Sequence, residues 1–131
     1  MTQRILIVDA DYDSLAALGG ALRNRGIDVQ LAADGRTALD RAVVNVPDLI
    51  LFDVAVPLVD ARSFVDLIRA NPRTADVPIY LMGAVSHKDL TRLPAGSLGA
   101  GFFRKPFHVD EVAARLEAAL EARSRAREKK S

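Results

Sequence analysis

Four charged side chains follow predicted strands closely enough to form a chemical site. Asp9 and Asp11 come after the first predicted strand, Asp53 ends the third, and Lys105 follows the fifth. Because the carboxyl ends of parallel strands meet at one edge of a sheet, these side chains are expected to converge there. Clustered carboxylates repel one another unless a divalent cation or an ammonium group lies between them. Mg²⁺ suits the site better than Ca²⁺, because one or two carboxylates completed by waters and phosphate oxygens are typical of Mg²⁺ and no Ca²⁺-binding loop is present.

Five short apolar runs predict the strands that position these groups: residues 5–8, 29–32, 49–52, 79–82 and 101–104. The run at 49–52 is apolar throughout, which is typical of a central strand buried on both faces. Asp53 ends this run, at the place where open α/β sheets bind their ligands. Taken alone, such an Asp is more often the cap of a turn or a solvated carboxylate.

Five segments show helical spacing of apolar residues, at about residues 13–26, 35–46, 60–71, 86–93 and 109–120. Asp13 or Ser14 can cap the first and Asp60 the third, whereas Pro94 and Gly96 cut the fourth short. Strands that alternate with helices predict βα units with right-handed crossovers. The predicted fold class is therefore α/β, a doubly wound five-stranded parallel sheet with helices on both faces.

The composition is that of a single globular domain. A chain of 131 residues, half of them hydrophobic, buries enough surface to fold without a metal or disulfide. With no cysteine and only two histidines, the available chemistry is that of carboxylates, lysines and hydroxyls. No run approaches the roughly 18 apolar residues of a membrane span, so we expect a cytoplasmic protein without a membrane partner.

The charge of the chain does not indicate a dominant electrostatic partner. The formal net charge is +1, which gives no reason to expect a nucleic-acid partner. We interpret residues 123–131 as a charged tail or the start of a linker that follows a domain at residues 1–122. A solvated tail explains them better than a nucleic-acid contact, because no helix-turn-helix pattern or aromatic platform accompanies them. For His87 and His108, helix-cap or surface roles are expected.

Taken together, the motifs resemble a known family. Residues 5–9, 47–53 and 105–107, with Pro57 between them, are similar in type and interval to the receiver domain of bacterial two-component response regulators, the CheY-like family. The resemblance implies a flavodoxin-like sheet with strand order 2-1-3-4-5. It also implies that Asp53 accepts a phosphoryl group from a histidine kinase or phosphotransfer protein, that Lys105 contacts the phosphoryl oxygens, and that the Lys105–Pro106 bond is cis.

The resemblance also implies a Mg²⁺ site that is incomplete in this chain. Its expected ligands are Asp9, Asp53 and the backbone carbonyl of Ala55. The family usually has a second acid directly after the first, and Ala10 stands there. We therefore expect Mg²⁺ binding to be weak or absent, with Asp11 as a substitute only if its loop shifts.

The switch residues of the family are altered as well. Gly83 stands where a Thr or Ser hydroxyl usually binds the phosphoryl group, and Phe102 matches the aromatic residue that responds to this hydroxyl. Phe102 can pack inward or swing out, but it cannot donate a hydrogen bond. Ala61 replaces the Gly that commonly follows the Asp of the third loop, which makes the backbone there less permissive.

Two classes of function follow from these residues. In the first, the chain is a phosphorelay receiver that is phosphorylated at Asp53 and acts on an output domain or partner protein. In the second, it is a pseudo-receiver, a protein-interaction module that works without phosphorylation. A flavodoxin-like binding domain unrelated to receivers is a third reading. We do not expect an autonomous enzyme, because no general base or cofactor fingerprint accompanies the cluster.

Overall fold

The structure is a computed structural model that describes residues 2–86, 88 and 99–130. Its elements in chain order are β1 (Arg4–Val8), α1 (Tyr12–Arg23), β2 (Asp28–Ala32), α2 (Gly35–Val44), β3 (Leu49–Asp53), α3 (Ala61–Ala70), β4 (Ile79–Gly83), β5 (Gly101–Arg104) and α4 (Val109–Lys130). The short helix predicted at 86–93 lies almost entirely outside the described residues, and so does His87. Within the described residues, no helix is long and apolar enough to cross a membrane.

The five strands form one parallel sheet in the order β2-β1-β3-β4-β5, which confirms the predicted fold class and strand order. Strand β3 is buried along its whole length, as its continuous apolar sequence predicts for a strand covered on both faces. In the register of the central pair, Val8 of β1 lies beside Phe52 of β3. The residues that follow these two, Asp9 and Asp53, therefore emerge side by side at the carboxyl edge of the sheet.

Two hydrophobic cores lie on the two faces of the sheet, because successive side chains of a strand point to opposite faces. Ile5 and Ile7 of β1 join the core beneath α1 and α4. Leu6 and Val8 join the core beneath α2 and α3. Both cores hold the central strands rigidly, so the tips of β1 and β3 have fixed positions.

Aspartates cap the first three helices. Asp34 accepts the N–H of Thr37 at 2.7 Å, and Asp60 accepts that of Ser63 at 2.8 Å, as predicted for the third helix. The prediction for α1 was wrong by two residues: its cap is Asp11 and not Asp13 or Ser14. The reason is local, because the Asp11 carboxylate accepts the N–H of Asp13 at 3.0 Å.

The last helix is held against the amino end of the sheet by Asp48, the residue before β3. Residues 123–130, predicted as a charged segment, continue α4 as helix. Arg123 donates to the Asp48 carbonyl, and Arg127 lies 3.8 Å from the Asp48 carboxylate. The other carboxylate oxygen accepts the N–H of Arg4 at 2.8 Å. Asp48 therefore joins β1, β3 and α4 at this end of the domain.

Candidate functional site

Three of the predicted site residues meet at the carboxyl edge of the sheet. Asp9 follows β1, Asp53 is the last residue of β3, and Lys105 follows β5. The Lys105 ammonium nitrogen, Nζ, lies 2.6 Å from Oδ2 of Asp9 and 2.6 Å from Oδ2 of Asp53. A single cation thus bridges two carboxylates that come from different strands.

Backbone donors complete the hydrogen bonding of both carboxylates. Oδ1 of Asp9 accepts the N–H of Asp11 at 2.9 Å, and Oδ1 of Asp53 accepts the N–H of Ala55 at 2.7 Å. The Asp9 and Asp53 side chains are only 4% and 7% exposed, and that of Lys105 is 20% exposed. Buried charges are tolerated only when they are paired and hydrogen-bonded, a condition that the bridge meets.

The pKa of Lys105 results from two opposing effects. Partial burial alone would lower the pKa, since burial disfavours the charged form. The hydrogen bonds and charges of Asp53 and Asp9 outweigh this effect, so the pKa of Lys105 is raised above its ordinary value. Lys105 therefore remains an ammonium throughout the neutral pH range.

The backbone around Lys105 fixes where this ammonium can lie. The Lys105 N–H donates to the carbonyl of Gly83 at 2.8 Å, which links the end of β5 to the end of β4. The expected cis bond between Lys105 and Pro106 is present. Phe107 packs edge-on against Phe103, with ring centroids 6.4 Å apart. The Lys105 side chain therefore extends from a main chain that is held on both sides, by the hydrogen bond to Gly83 and by the packing of Phe107.

The fourth predicted residue, Asp11, caps helix α1 with its carboxylate. Its Oδ1 accepts the N–H of Asp13 at 3.0 Å and its Oδ2 accepts the Ser14 hydroxyl at 3.3 Å, both within the first turn of α1. Only the backbone N–H of Asp11 reaches the site, through its hydrogen bond to Asp9. The preceding residue, Ala10, has no oxygen in its side chain. The loop after β1 therefore supplies one carboxylate to the site, not two.

The carboxylate oxygens at the site show whether a metal ion would fit there. Within the described part of the chain, no group of three or more acidic or histidine side chains could hold a metal ion. Asp9 and Asp53 alone remain as side-chain ligands, which suits Mg²⁺ only if waters or phosphate oxygens complete its shell. The Lys105 ammonium already contacts one oxygen of each. The Ala55 carbonyl stays a predicted ligand.

Apolar side chains surround Gly83, where the family usually has a hydroxyl, and Val54 is close enough to exclude a larger residue. A Cβ atom placed on Gly83 would lie 2.7 Å from Cγ2 of Val54, 3.5 Å from Cγ2 of Val85 and 3.7 Å from Cζ of Phe102. Phe102 is half-buried and packs against the core beneath α2 and α3. The role of Val54 was not predicted from the sequence. The signal in the sequence was its position directly after Asp53, the last residue of the strand that pairs with β4.

The loop between β3 and α3 packs tightly against the start of α2. The Gly35 N–H donates to the Pro57 carbonyl at 3.1 Å. A Cβ on Gly35 would lie only 2.6 Å from Cβ of Val59, so this close approach requires glycine. The left-handed residue of the loop is Leu58, which has a φ of 77° and is 75% exposed. Ala61, where the sequence suggested a less permissive backbone, is simply the first residue of α3.

An apolar groove of about 530 Å³ borders the site between the start of α1 and the β5–α4 loop. Ala17, Ala84, Pro106 and Phe107 line it, and Lys105 lies at its edge. His108, just beyond, accepts the N–H groups of the first turn of α4 through its carbonyl, as expected of a helix cap. The groove leaves a broad surface beside the carboxylates open to another molecule.

A doubly wound sheet with a lysine-bridged carboxylate pair at the tips of β1 and β3 defines the class of this domain. The family profile for the response regulator receiver domain matches residues 5–117. The chain therefore belongs to the response regulator receiver family, and it is the receiver domain of a two-component system.

Named relatives agree with this assignment. The transcriptional regulatory protein PrrA of Mycobacterium tuberculosis is 40% identical over 121 residues, which cover 92% of this chain and 51% of PrrA. The DNA-binding dual master transcriptional regulator RpaA of Synechocystis is 36% identical over 118 residues, covering 89% of this chain and 48% of RpaA. The chain thus spans about half the length of the curated relatives it matches.

A solved structure shows the same fold with a metal. The receiver domain of a sensor histidine kinase from Pseudomonas aeruginosa superposes with a TM-score of 0.78 at 28% identity, covering 93% of this chain and 97% of that one. That structure holds a magnesium ion coordinated in its active site cleft.

Proposed function

We propose that this receiver accepts a phosphoryl group at Asp53 from a histidine kinase or a phosphotransfer protein. The observation that supports the proposal is the Lys105 ammonium 2.6 Å from the Asp53 carboxylate. In the reaction, a carboxylate oxygen of Asp53 forms a bond to phosphorus while the bond from phosphorus to the donor's imidazole nitrogen breaks and its electron pair returns to the imidazole. Lys105 neutralises part of the negative charge on the transferred group.

We infer that Mg²⁺ is held weakly, by Asp9 and Asp53. When bound, Mg²⁺ would neutralise charge on the phosphoryl oxygens. Two features support weak binding: the missing carboxylate at Ala10 and the engagement of Asp11 as the cap of α1. A third is that Lys105 competes for the same carboxylate oxygens.

The alternative function is binding of a protein partner without phosphorylation. It is supported by the packing at Gly83, because Val54 occupies the space that a larger side chain at this position would need. In either case the domain is a signalling module and not an autonomous enzyme. The relatives that are named as transcriptional regulators support an output domain or a partner protein as the recipient of the signal. As the substrate of a histidine kinase, it would act in the cytoplasm.

We further propose that the receiver comprises residues 1–122. The charged segment that follows, residues 123–131, is in this proposal a tail or the start of a linker, and it contacts the receiver through Arg123 and Arg127 at Asp48. The division at residue 122 rests on the last buried apolar residue of α4, Leu120.

Mass spectrometry of the intact protein tests phosphorylation. The protein is incubated with saturating Mg²⁺ and a small-molecule phosphodonor, and then with a histidine kinase. Wild type should gain the mass of one phosphoryl group, and Asp53→Asn should not. Asp13→Asn is the matched control, since Asp13 is an exposed acid near the site that does not contact Lys105. Equal null results for wild type and Asp53→Asn would rule out the phosphoacceptor and leave the protein-binding alternative.

A further inference from the structure

A polar cavity lies at the amino end of the sheet, opposite the site at Asp53. Its volume is about 300 Å³, and it opens between α4 and the connection that joins α3 to β4. Asp48 lies at its wall, and Asp53 ends the strand that begins after Asp48. Five strand residues correspond to roughly 16 Å. The cavity is therefore separate from the carboxylate site.

Arginine is the most frequent residue type in the wall of this cavity. Arg73, Arg123 and Arg127 line it, and we call it the arginine cavity. Arg69 lies close enough that its positive charge acts on Arg123. Arg69 and Arg123 both donate to backbone carbonyls, Arg69 to Val77 at 2.6 Å and Arg123 to Asp48. Carbonyls satisfy the N–H groups, but they do not neutralise the positive charge.

The wall of the cavity holds one more arginine than it holds carboxylates. Its acids are Asp48 and Asp76. Asp48 is already shared between Arg127, at 3.8 Å, and the N–H of Arg4, at 2.8 Å. Within the described residues, no ion pair of Arg73 occurs. Burial, followed by the repulsion from Arg127, lowers the pKa of Arg123, although Asp48 and Asp76 act in the opposite direction.

We propose that the arginine cavity binds a phosphate-type oxyanion. Guanidinium groups offer planar pairs of N–H donors that match the oxygens of phosphate, and they are less strongly hydrated than ammonium groups. A phosphate group would accept hydrogen bonds from Arg73 and Arg127 and relieve the repulsion of Arg123 by Arg127. Asp76 opposes the anion, so the affinity is modest. The phosphate group belongs either to inorganic phosphate or to a larger phosphate-bearing molecule.

Solution NMR of the isotopically labelled full chain tests this proposal. Inorganic phosphate and pyrophosphate are titrated separately, with sodium chloride at matched ionic strength as the blank. The backbone amides of Arg73, Asp76 and Val77 and the guanidinium N–H signals should shift and saturate with either anion and not with chloride. Tighter binding of pyrophosphate would indicate a larger phosphate-bearing ligand, whereas equal binding would indicate a single phosphate group.

Three variants make the test specific. Arg73→Ala should weaken binding about fivefold, the size expected for loss of one largely exposed ion pair. Asp76→Asn should tighten binding, because it removes the opposing charge. Arg125→Ala is the matched control: Arg125 lies on α4 between the two cavity arginines but outside the cavity, and its loss should leave the affinity unchanged. Equal shifts with chloride, shifts confined to the Asp53 site, or equal weakening by Arg73→Ala and Arg125→Ala would overturn the proposal.

Discussion

Replacing Lys105 by methionine measures how strongly the carboxylate pair depends on one ammonium group. Methionine has similar length and no charge. Oδ2 of Asp9 and Oδ2 of Asp53 each lie 2.6 Å from Nζ, so they are at most twice that distance apart. Two unit charges about 5 Å apart repel by about 3 kcal/mol at an effective dielectric constant of about 20. We expect Lys105→Met to lower the free energy of unfolding by about 3 kcal/mol, in the range for breaking a buried ion pair.

Urea denaturation at pH 7 measures the change in the free energy of unfolding. A double-mutant cycle then tests whether repulsion between Asp9 and Asp53 causes it. Adding Asp53→Asn to Lys105→Met removes one of the two repelling charges, so most of the lost stability should return. Lys129→Met, an exposed lysine on α4, is the control and should change the free energy of unfolding by no more than about 0.5 kcal/mol. A loss below about 1 kcal/mol for Lys105→Met, or no recovery in the double variant, would refute the bridge as the main counter-charge of the site.

Four further outcomes follow from the same contacts. Because the pKa of Lys105 is raised, the stability difference between wild type and Lys105→Met should be constant from pH 7 to pH 10.5, the ordinary lysine value, and shrink as the pH rises beyond it through the raised pKa. Denaturation as a function of pH measures this. Gly20→Ala should raise the free energy of unfolding by about 0.5 to 1 kcal/mol, as judged by urea denaturation, because Gly20 is inside α1 and a Cβ there meets no atom within 4 Å. Gly83→Thr should lower the melting temperature, because its Cβ meets Val54, and adding Val54→Ala should restore most of the loss. Ala10→Asp should tighten Mg²⁺ binding in a calorimetric titration, whereas micromolar binding by wild type would show that another group has replaced the missing ligand.

The strands and the three bridged residues could be predicted because both depend on short stretches of sequence. A continuous apolar run marks a strand buried on both faces, and a parallel sheet places the ends of such strands at one edge. Asp9, Asp53 and Lys105 each lie at or next to a strand end, so their convergence follows from topology alone. The start of α1 was harder to predict, because Asp11 and Asp13 are both good caps and the choice depends on backbone geometry.

The surroundings of Gly83 and the end of α4 could not be predicted, since both depend on contacts between distant segments. Val54 reaches Gly83 only because β3 pairs with β4 in one particular register. The arginines after residue 122 have the composition of a solvated tail. In the structure Arg123 and Arg127, one helical turn apart, both reach Asp48. The four-residue spacing of Arg123 and Arg127 shows that they share one face of α4, but it cannot identify Asp48 as the residue that this face contacts.

The bridge also indicates how a signal would leave this site without a hydroxyl at Gly83. In the structure Lys105 divides its ammonium between Asp9 and Asp53, and its own N–H is bonded to the Gly83 carbonyl. A phosphoryl group on Asp53 would add negative charge at Asp53 and none at Asp9. The Lys105 ammonium would therefore move from Asp9 toward the phosphoryl oxygens. Because Lys105 directly follows β5, this displacement would reach the β5–α4 loop through the Lys105 main chain. Switching in this receiver would then depend on Lys105 and Asp9, with Phe102 responding only through packing.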